Sequence, residues 1–521
     1  MSQNIEAQSA KQIKLGALIS YLTLAFDMIA GLVYTPWMIS QIGDANYGLY
    51  TLSITLISMF MLDFGMSAAV SRFTSNYRAK NDQEGINNFL GLIYKIYILV
   101  SAVISAVLIG IYFNIGHIYV KLTPQELDSL KVVFVISGLS TVLCFPFITL
   151  NGILVAHEKF VYLRSADLFN KVASVILIVV ALWCGMGLFS LVAVHAVMNL
   201  LTVGIKLIVV KKKTKVKVNF NYYSKPLLKE ITGFSIWTTV KSIAQRFIFT
   251  VMPTVLGIVS GSASIAMFSL ASTLEGYVYK FSEAINGMFM PKISRATVKQ
   301  GSGEAILPLM TKVGRIVLTV IGIITIGFVT LGQRFIRLWL GPNYVSVYYC
   351  TVFLIIPGIF YVPQQIANTA VVVLNKVKSQ GIVFVIAAVV NIILSFVLGR
   401  FWGEIGCAVS ICIVYLIRTL LMNRVFHQQL NINVVKFFKD CHLKMAPALL
   451  LTLGIGFLIS NYLVIASGWI TFFIQAACLS LSYVVIMWLI GWNKYEKNLF
   501  LSMVCSVLKI KKKKRNNSLS E

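Results

Sequence analysis

The chain has 521 residues, of which 58% are hydrophobic and 12% charged, with a mean hydropathy of +0.83. A soluble domain carries about twice that charged fraction, so an ordinary soluble domain is excluded. The formal net charge of +27 must then be explained by how Lys and Arg are distributed around apolar segments.

A bilayer core about 30 Å thick takes roughly 20 apolar residues per helix. Runs of that kind fall near 16–41, 47–71, 88–113, 132–156, 160–184, 186–210, 231–258, 263–290, 313–340, 345–374, 379–399, 402–425, 443–465 and 469–491. They predict an all-α polytopic membrane protein with about 14 transmembrane helices. Most of the 45 Lys and Arg lie at the N-terminus, in alternate loops and in the C-terminal tail. Examples are Arg72, Arg78 and Lys80, then Lys211, Lys212 and Lys213, then Lys292, Arg295 and Lys299, and finally Lys511 to Arg515. The intervening loops hold few: Lys121, Lys131, Arg334, Arg337 and Arg400. Basic loops stay cytoplasmic, so both termini are expected in the cytoplasm and the helix count is even. The charge then calls for anionic membrane lipids as partners and for no nucleic acid. Met1 to Ala10 is polar and shows no cleavable signal peptide, so the first helix is expected to direct its own insertion. The eight Cys form no CxxC pair, and most are expected as free thiols inside spans.

Ionisable residues in the spans cost about 2.5–3.5 kcal/mol each at mid-bilayer and call for a role. In chain order, the first helix carries Asp27, the second Asp63 and the third Lys95. In the fifth, Asp167 and Lys171 are four apart and are expected to pair with each other. The seventh carries Lys241, Gln245 and Arg246, with Arg246 near the midplane. The eighth carries Glu275, Tyr279, Lys280 and Glu283, where Lys280 and Glu283 can pair locally. Candidate cations facing a substrate are Arg246, Lys241 and Lys280. Candidate ion-coupling acids are Asp27, Asp63 and Glu275. Pro36, Pro146, Pro253, Pro357 and Pro363 lie inside spans and predict kinks.

The two halves resemble each other at an offset of 218 positions. Gly43 to Tyr50 falls on Gly261 to Phe268, and Gly185 to Leu191 falls on Gly403 to Val409. Pro146 lies one residue from the position matching Pro363. Six helices per half give two copies in the same orientation, a parallel repeat forming two six-helix lobes around a central cavity. The expected organisation is an N-terminal lobe over 1–210, a basic cytoplasmic linker over 211–230, a C-terminal lobe over 231–430, helices 13 and 14 over 431–492, and a basic tail over 493–521.

Catalytic motifs are missing. The sequence has no P-loop, no H-E-x-x-H and no G-x-S-x-G, and its five His are never spaced as metal ligands. No cofactor and no metal is expected. A transporter is favoured over an enzyme, driven by an ion gradient, by membrane potential or by consumption of product.

Several ordered motifs resemble a known family. Thr35 and Pro36 precede Gly43, Tyr47, Gly48 and Tyr50; Asp63, Phe64 and Gly65 precede Arg72; then come Asn151 with Gly152, Phe268 with Ser269, Pro291 with Ser294, and Trp339 with Gly341. This set resembles Wzx-type polysaccharide (O-antigen) flippases of the multidrug/oligosaccharidyl-lipid/polysaccharide exporter superfamily, over roughly 12–425. The resemblance implies a two-lobe, V-shaped fold and alternating access. It implies an undecaprenyl-diphosphate-linked oligosaccharide as substrate, moved from the cytoplasmic to the periplasmic leaflet of a bacterial inner membrane. It implies H+ or Na+ as coupling ion, and a polysaccharide polymerase and chain-length proteins as partners. In the family, cavity cations receive the diphosphate or acidic sugars, and Arg246 and Lys241 are the nearest fit. Lipid II flippases of the same superfamily carry cavity arginines on the first, second and eighth helices, and this chain has acids deep in the first two. The alternatives are a cation-coupled multidrug exporter of the same fold and a membrane-embedded polymerase or glycosyltransferase.

Overall fold

Eleven helices among the described residues are long and apolar enough to cross a membrane. The computed structural model describes residues 2–60, 66–280, 303–374, 376–464 and 468–507. One of the eleven, Val377–Leu430, is two spans: its backbone breaks at Gly403, with φ 56° and ψ −131°. Across the break, Ser395 Oγ donates to Ser410 Oγ at 2.9 Å, and Ser410 Oγ donates to Asn391 Oδ1 at 3.1 Å. Residues 15 apart on a straight helix are about 22 Å distant, so these bonds require the chain to reverse. The second span is represented by Asp44–Phe60 and Met66–Ala79, and the eighth by the helical residues 262–280. With these the described helices account for every span read from the sequence.

The duplication is visible in the backbone. Gly43 and Gly261 both have positive φ, at 79° and 119°, and so do Gly185 and Gly403, at 76° and 56°. Each pair is 218 positions apart and sits at a turn between helices, where a side chain would force strain. The fourth helix of each half also breaks alike. Pro146 lies in the 3-10 turn Phe145–Ile148, and Pro363 in the 3-10 turn Val362–Gln364. Proline removes the backbone donor that would continue the α-helix, which explains both interruptions.

By contacts the chain divides into two compact units. The first comprises Met1–Tyr277, Tyr349–Phe353 and Val377–Arg418; the second comprises Val278–Tyr348, Leu354–Lys376 and Thr419–Glu521. In the first unit the first helix packs on the fifth span (Phe160–Trp183), which packs on the sixth (Leu188–Lys213). The second and sixth spans also pack on the fourth (Pro124–Cys144). Asp82 caps the third span (Gln83–Ile118) through the Gly85 amide, and Thr123 with Glu126 forms a capping box on the fourth. The linker beyond Lys213 lies along the third span: Lys217 N donates to Asn87 Oδ1 at 2.8 Å, and Lys95 Nζ donates to the Tyr222 carbonyl at 3.2 Å. That bond accounts for Lys95. Large apolar side chains stand outward on the helices, including Val33, Phe113 and Trp183 at 73%, 76% and 77% exposure. Outward apolar and inward polar groups are what a hydrocarbon solvent demands.

In the second unit the ninth span (Gly303–Trp339) packs on the thirteenth (Lys444–Tyr462) and fourteenth (Trp469–Ile486). Arg315 of the ninth span reaches the C-terminal helix Lys494–Val507. Its Nε donates to Glu496 Oε1 at 2.5 Å and its Nη2 to Glu496 Oε2 at 2.9 Å. Two further donors reach the Asp440 and Gly491 carbonyls. Both side chains are almost fully buried, at 6% and 5% exposure. A bidentate pair with further donors satisfied by carbonyls is one of the few geometries that offset the desolvation of two charges. Of the seven cysteines whose side chains are described, Cys144, Cys350, Cys407 and Cys441 are buried, Cys412 and Cys478 are half-buried and Cys184 is exposed, and all seven are free thiols.

Removing one partner leaves a buried uncompensated charge. Glu496→Ala is expected to cost about 3–5 kcal/mol. Thermal unfolding of the purified protein measures it, and Arg315→Met with Glu496→Met should recover much of the loss. An unchanged midpoint in Glu496→Ala would show that the pair contributes little.

Candidate functional site

Two polar clusters lie inside the first unit, each built by spans that are otherwise apolar. The first surrounds Asp27. Lys171 Nζ reaches Asp27 Oδ1 at 2.8 Å, and the Tyr277 hydroxyl donates to the Asp27 carbonyl at 3.3 Å. Lys171 also lies within electrostatic range of His195, whose Nε2 is 2.7 Å from the Tyr50 hydroxyl. The Tyr50 and His195 rings stack with centroids 5.9 Å apart. Asp27, Lys171, His195 and Tyr50 thus form a chain of titratable groups from the first, fifth, sixth and second spans.

This arrangement corrects the pairing expected within the fifth span. Asp167 does not pair with Lys171, though the two are one turn apart. Asp167 takes Lys206 at 2.8 Å and Arg164 at 3.5 Å, and Lys206 also reaches Asn151 Oδ1 at 3.0 Å. Local i,i+4 pairs stabilise a helix by only about 0.2–0.5 kcal/mol. A cross-helix pair in a low-dielectric bundle relieves more desolvation, so Asp167 and Lys171 each take their shortest ion pair on another helix, with Arg164 the local partner Asp167 keeps.

The second cluster is cationic. Arg246 Nη1 donates to the Ser58 carbonyl at 2.6 Å, which uses one donor of a guanidinium that has several. Lys241 Nζ lies 5.4 Å from the centre of the Phe384 ring. Arg418, on the twelfth span, stands 4.9 Å from the same ring and 3.7 Å from that of Tyr415. Between them Gln245 acts as a bridge: its Nε2 donates to the Tyr415 hydroxyl at 2.8 Å, and its Oε1 accepts from Arg418 Nη1 at 2.7 Å. Glu275 is buried, at 7% exposure, and lies within electrostatic range of Tyr415, so it brings one carboxyl to this neighbourhood. Among the described residues no acid forms an ion pair with Arg246 or Lys241. An anion reaching Arg246 or Lys241 would meet no ion-paired acid on either among the described residues.

The seventh span is shaped to present these groups. Lys241, Gln245 and Arg246 lie on the Lys225–Phe249 helix, which Ser224 caps through the Leu227 amide. Just beyond it, Pro253 opens the separate helix Met252–Val259. On the neighbouring hairpin, Asn391 Nδ2 donates to the Ile248 carbonyl at 2.9 Å and pins the helix end.

The candidates read from the sequence therefore part company. Arg246 and Lys241 stand on one helix with Glu275 in the same unit, and Asp27 stands in the first cluster with a cation already on it. Lys280 is half-buried and belongs to the second unit, where the adjacent Tyr279 donates to the Leu354 carbonyl at 3.3 Å. Asp63 lies outside the described residues, as does Glu283, the expected local partner of Lys280. Sequence reasoning misses Arg418, although a cation inside an apolar run is the signal that marks Arg246. It also passes over His195, because the spacing of the histidines speaks only to metal ligation. Among the described residues no His, Cys, Asp and Glu group could hold a metal ion.

Comparison with known proteins fits this picture. The structure resembles the lipid II flippase MurJ in an inward closed conformation, with TM-score 0.73 and 17% identity, covering 93% of this chain and 99% of that one. It resembles an inward-facing multidrug resistance MATE family transporter of the MOP superfamily, with TM-score 0.61 and 12% identity, covering 74% and 94%. It also resembles the MATE multidrug transporter DinF-BH, with TM-score 0.60 and 15% identity, covering 80% and 95%. No curated protein matches the chain significantly. The family of polysaccharide biosynthesis proteins matches residues 15–298, a stretch that holds Asp27, Lys171, Lys241 and Arg246. That match spans more than half of the chain: the protein, which carries eleven helices long and apolar enough to cross a membrane among its described residues, belongs to the polysaccharide biosynthesis protein family.

Proposed function

We propose that the protein is a flippase for a lipid-linked oligosaccharide, moving an undecaprenyl-diphosphate-linked repeat unit from the cytoplasmic to the periplasmic leaflet by alternating access. The observation that carries this reading is the pair of Arg246 and Lys241 on the seventh span, with no acid ion-paired to either among the described residues. A diphosphate leaving water needs charge-assisted donors to replace its hydration. A guanidinium gives two parallel bonds to a phosphate, and a neighbouring ammonium adds a point charge. The family match adds the glycan half of the substrate. A multidrug exporter selecting organic cations would need a carboxylate open to them, whereas Asp27 already holds Lys171 at 2.8 Å.

The first cluster suits ion coupling. Proton or sodium binding at Asp27 competes with Lys171 for the same carboxylate and leaves Lys171 without that partner. That exchange links ion occupancy to how the fifth span sits on the first. O-antigen or a related surface polysaccharide is the product we infer, made in a bacterial inner membrane with polymerase and chain-length proteins downstream.

Arg246→Ala is expected to lower surface polysaccharide by at least about tenfold, the loss of one hydrogen bond to a charged group. Arg246→Lys should keep partial function, and Lys241→Ala should be milder. Quantitative polysaccharide blots, normalised to protein level, measure this; normal display at normal protein level in Arg246→Ala would remove the residue from substrate handling.

For coupling, Asp27→Asn should flatten the dependence of transport on external pH or sodium, measured in energised vesicles. Wild-type dependence in that variant would reduce the Asp27–Lys171 pair to a strut between helices.

Orientation has its own check. Reporters fused after Gln300 and after Lys378 should read cytoplasmic, and those placed within 42–46 and 340–344 periplasmic. A periplasmic signal from 211–225 would reverse the assignment.

A further inference from the structure

A recess of about 430 Å³ lies within the second unit, between the C-terminal end of the ninth span and the facing ends of the thirteenth and fourteenth. Gln333, Arg334, Arg337, Ser460 and Asn461 line it. Arg334 Nη1 is buried and has no hydrogen-bond partner. Among the described residues, no acid, carbonyl or amide accepts from the side chains of Gln333, Arg334, Arg337 or Asn461. A buried donor left unmade costs about 1–3 kcal/mol, more when charged, so such a group in a native fold calls for a ligand, water or ion. Two guanidiniums one helical turn apart, beside two amides, form a donor-rich concavity with no carboxylate in it.

The walls are fixed. Gln475, fully buried, points its Nε2 at the Ile459, Ser460 and Leu463 carbonyls at 3.1, 3.3 and 2.9 Å. This holds the end of the thirteenth span, and with it Ser460 and Asn461, in place. On the other side, Phe335 stacks on Trp339 at 5.4 Å and meets Phe472 at 5.7 Å and Trp469 at 6.1 Å. Those contacts set the rotation of the ninth span and therefore the direction of Arg334 and Arg337. The two arginines also run against the charge pattern of the chain, because they sit in one of the few basic connections on the side that the other charges leave nearly neutral. Topology alone would disfavour cations there, and a guanidinium with a buried nitrogen is not a residue reaching out to water.

We infer that this recess is an oxyanion-binding site that takes a phosphate group. Arg334 and Arg337 supply paired, charge-assisted hydrogen bonds, and Gln333 and Asn461 supply neutral donors to the remaining oxygens. Two sources offer that chemistry at a membrane surface: the headgroup of an anionic phospholipid and a free phosphate ion. The site is separate from the cations of the first unit and stands whether or not those handle a diphosphate.

The full-length protein, delipidated in detergent, would be titrated with short-chain phosphatidylglycerol, with short-chain phosphatidylcholine and with inorganic phosphate, following thermal unfolding by intrinsic fluorescence. Stabilisation by phosphatidylglycerol above phosphatidylcholine, weakened at least about tenfold in apparent affinity by Arg334→Gln and by Arg337→Gln, is the expected result and assigns a lipid source. The same weakening seen with inorganic phosphate alone supports the site and assigns a free anion. Lys436→Gln, distant in sequence and outside the recess, should leave either response intact. Should Arg334→Gln fail to accumulate, the exposed Arg337→Gln carries the test. Responses to both anions that are absent in wild type, or equal in wild type and the arginine variants, overturn the proposal.

Discussion

An ionisable side chain inside a bilayer must find its partner within the protein, and that requirement organises this structure. Asp27 takes Lys171 from another helix, Asp167 takes Lys206 from another, and Arg315 takes Glu496 from the C-terminal helix. Each pair crosses between separate helices. Each therefore fixes packing as well as charge, because the partner must arrive at hydrogen-bond distance. The chain has 45 basic and 18 acidic residues, so pairing cannot absorb every cation. Some of the excess lies in loops and tail, where an anionic lipid surface would attract it. Arg246 and Lys241 are left inside the seventh span with no ion-paired acid among the described residues, and the proposed function rests on them.

The duplication shows how one architecture came to hold two different clusters. Both halves keep the same turn glycines and the same broken fourth helix. Their polar residues have diverged on that common frame. At the offset of 218, Asp27 of the first helix falls on Gln245 of the seventh. Asp27 is answered by Lys171, while Gln245 is answered by Arg418 and Tyr415. The same helical position thus carries an ion pair in one half and an amide bridge between an aromatic hydroxyl and a guanidinium in the other. An acid at 245 would add a negative charge beside Arg246; an amide positions Arg418 and adds none.

Much of the fold was legible in the sequence because hydrocarbon thickness sets a length that apolar runs must meet. The spans, the parallel repeat and the tight turn at Gly403 follow from run length and glycine spacing. Pairing was not legible. Lys171 has an acid four residues back on its own helix face, and periodicity alone favours that neighbour; only the packing of the first helix on the fifth brings Asp27 closer. Arg418 was hidden for a different reason. It sits within a largely apolar span, and its role depends on Gln245 some 173 positions earlier in the chain. The Arg315–Glu496 pair, 181 positions apart, was equally out of reach. Long-range partners are decided by three-dimensional packing, whereas span number and kink positions are decided locally.

The central claim is that the cations of the seventh span select an anionic lipid-linked glycan. Reconstitution tests it most directly: the purified protein in proteoliposomes, offered an undecaprenyl-diphosphate-linked oligosaccharide and, separately, a fluorescent organic cation. The account predicts translocation of the lipid-linked oligosaccharide, competed by undecaprenyl diphosphate lacking the glycan, and no transport of the cation. Cation export without movement of the lipid-linked oligosaccharide would contradict it.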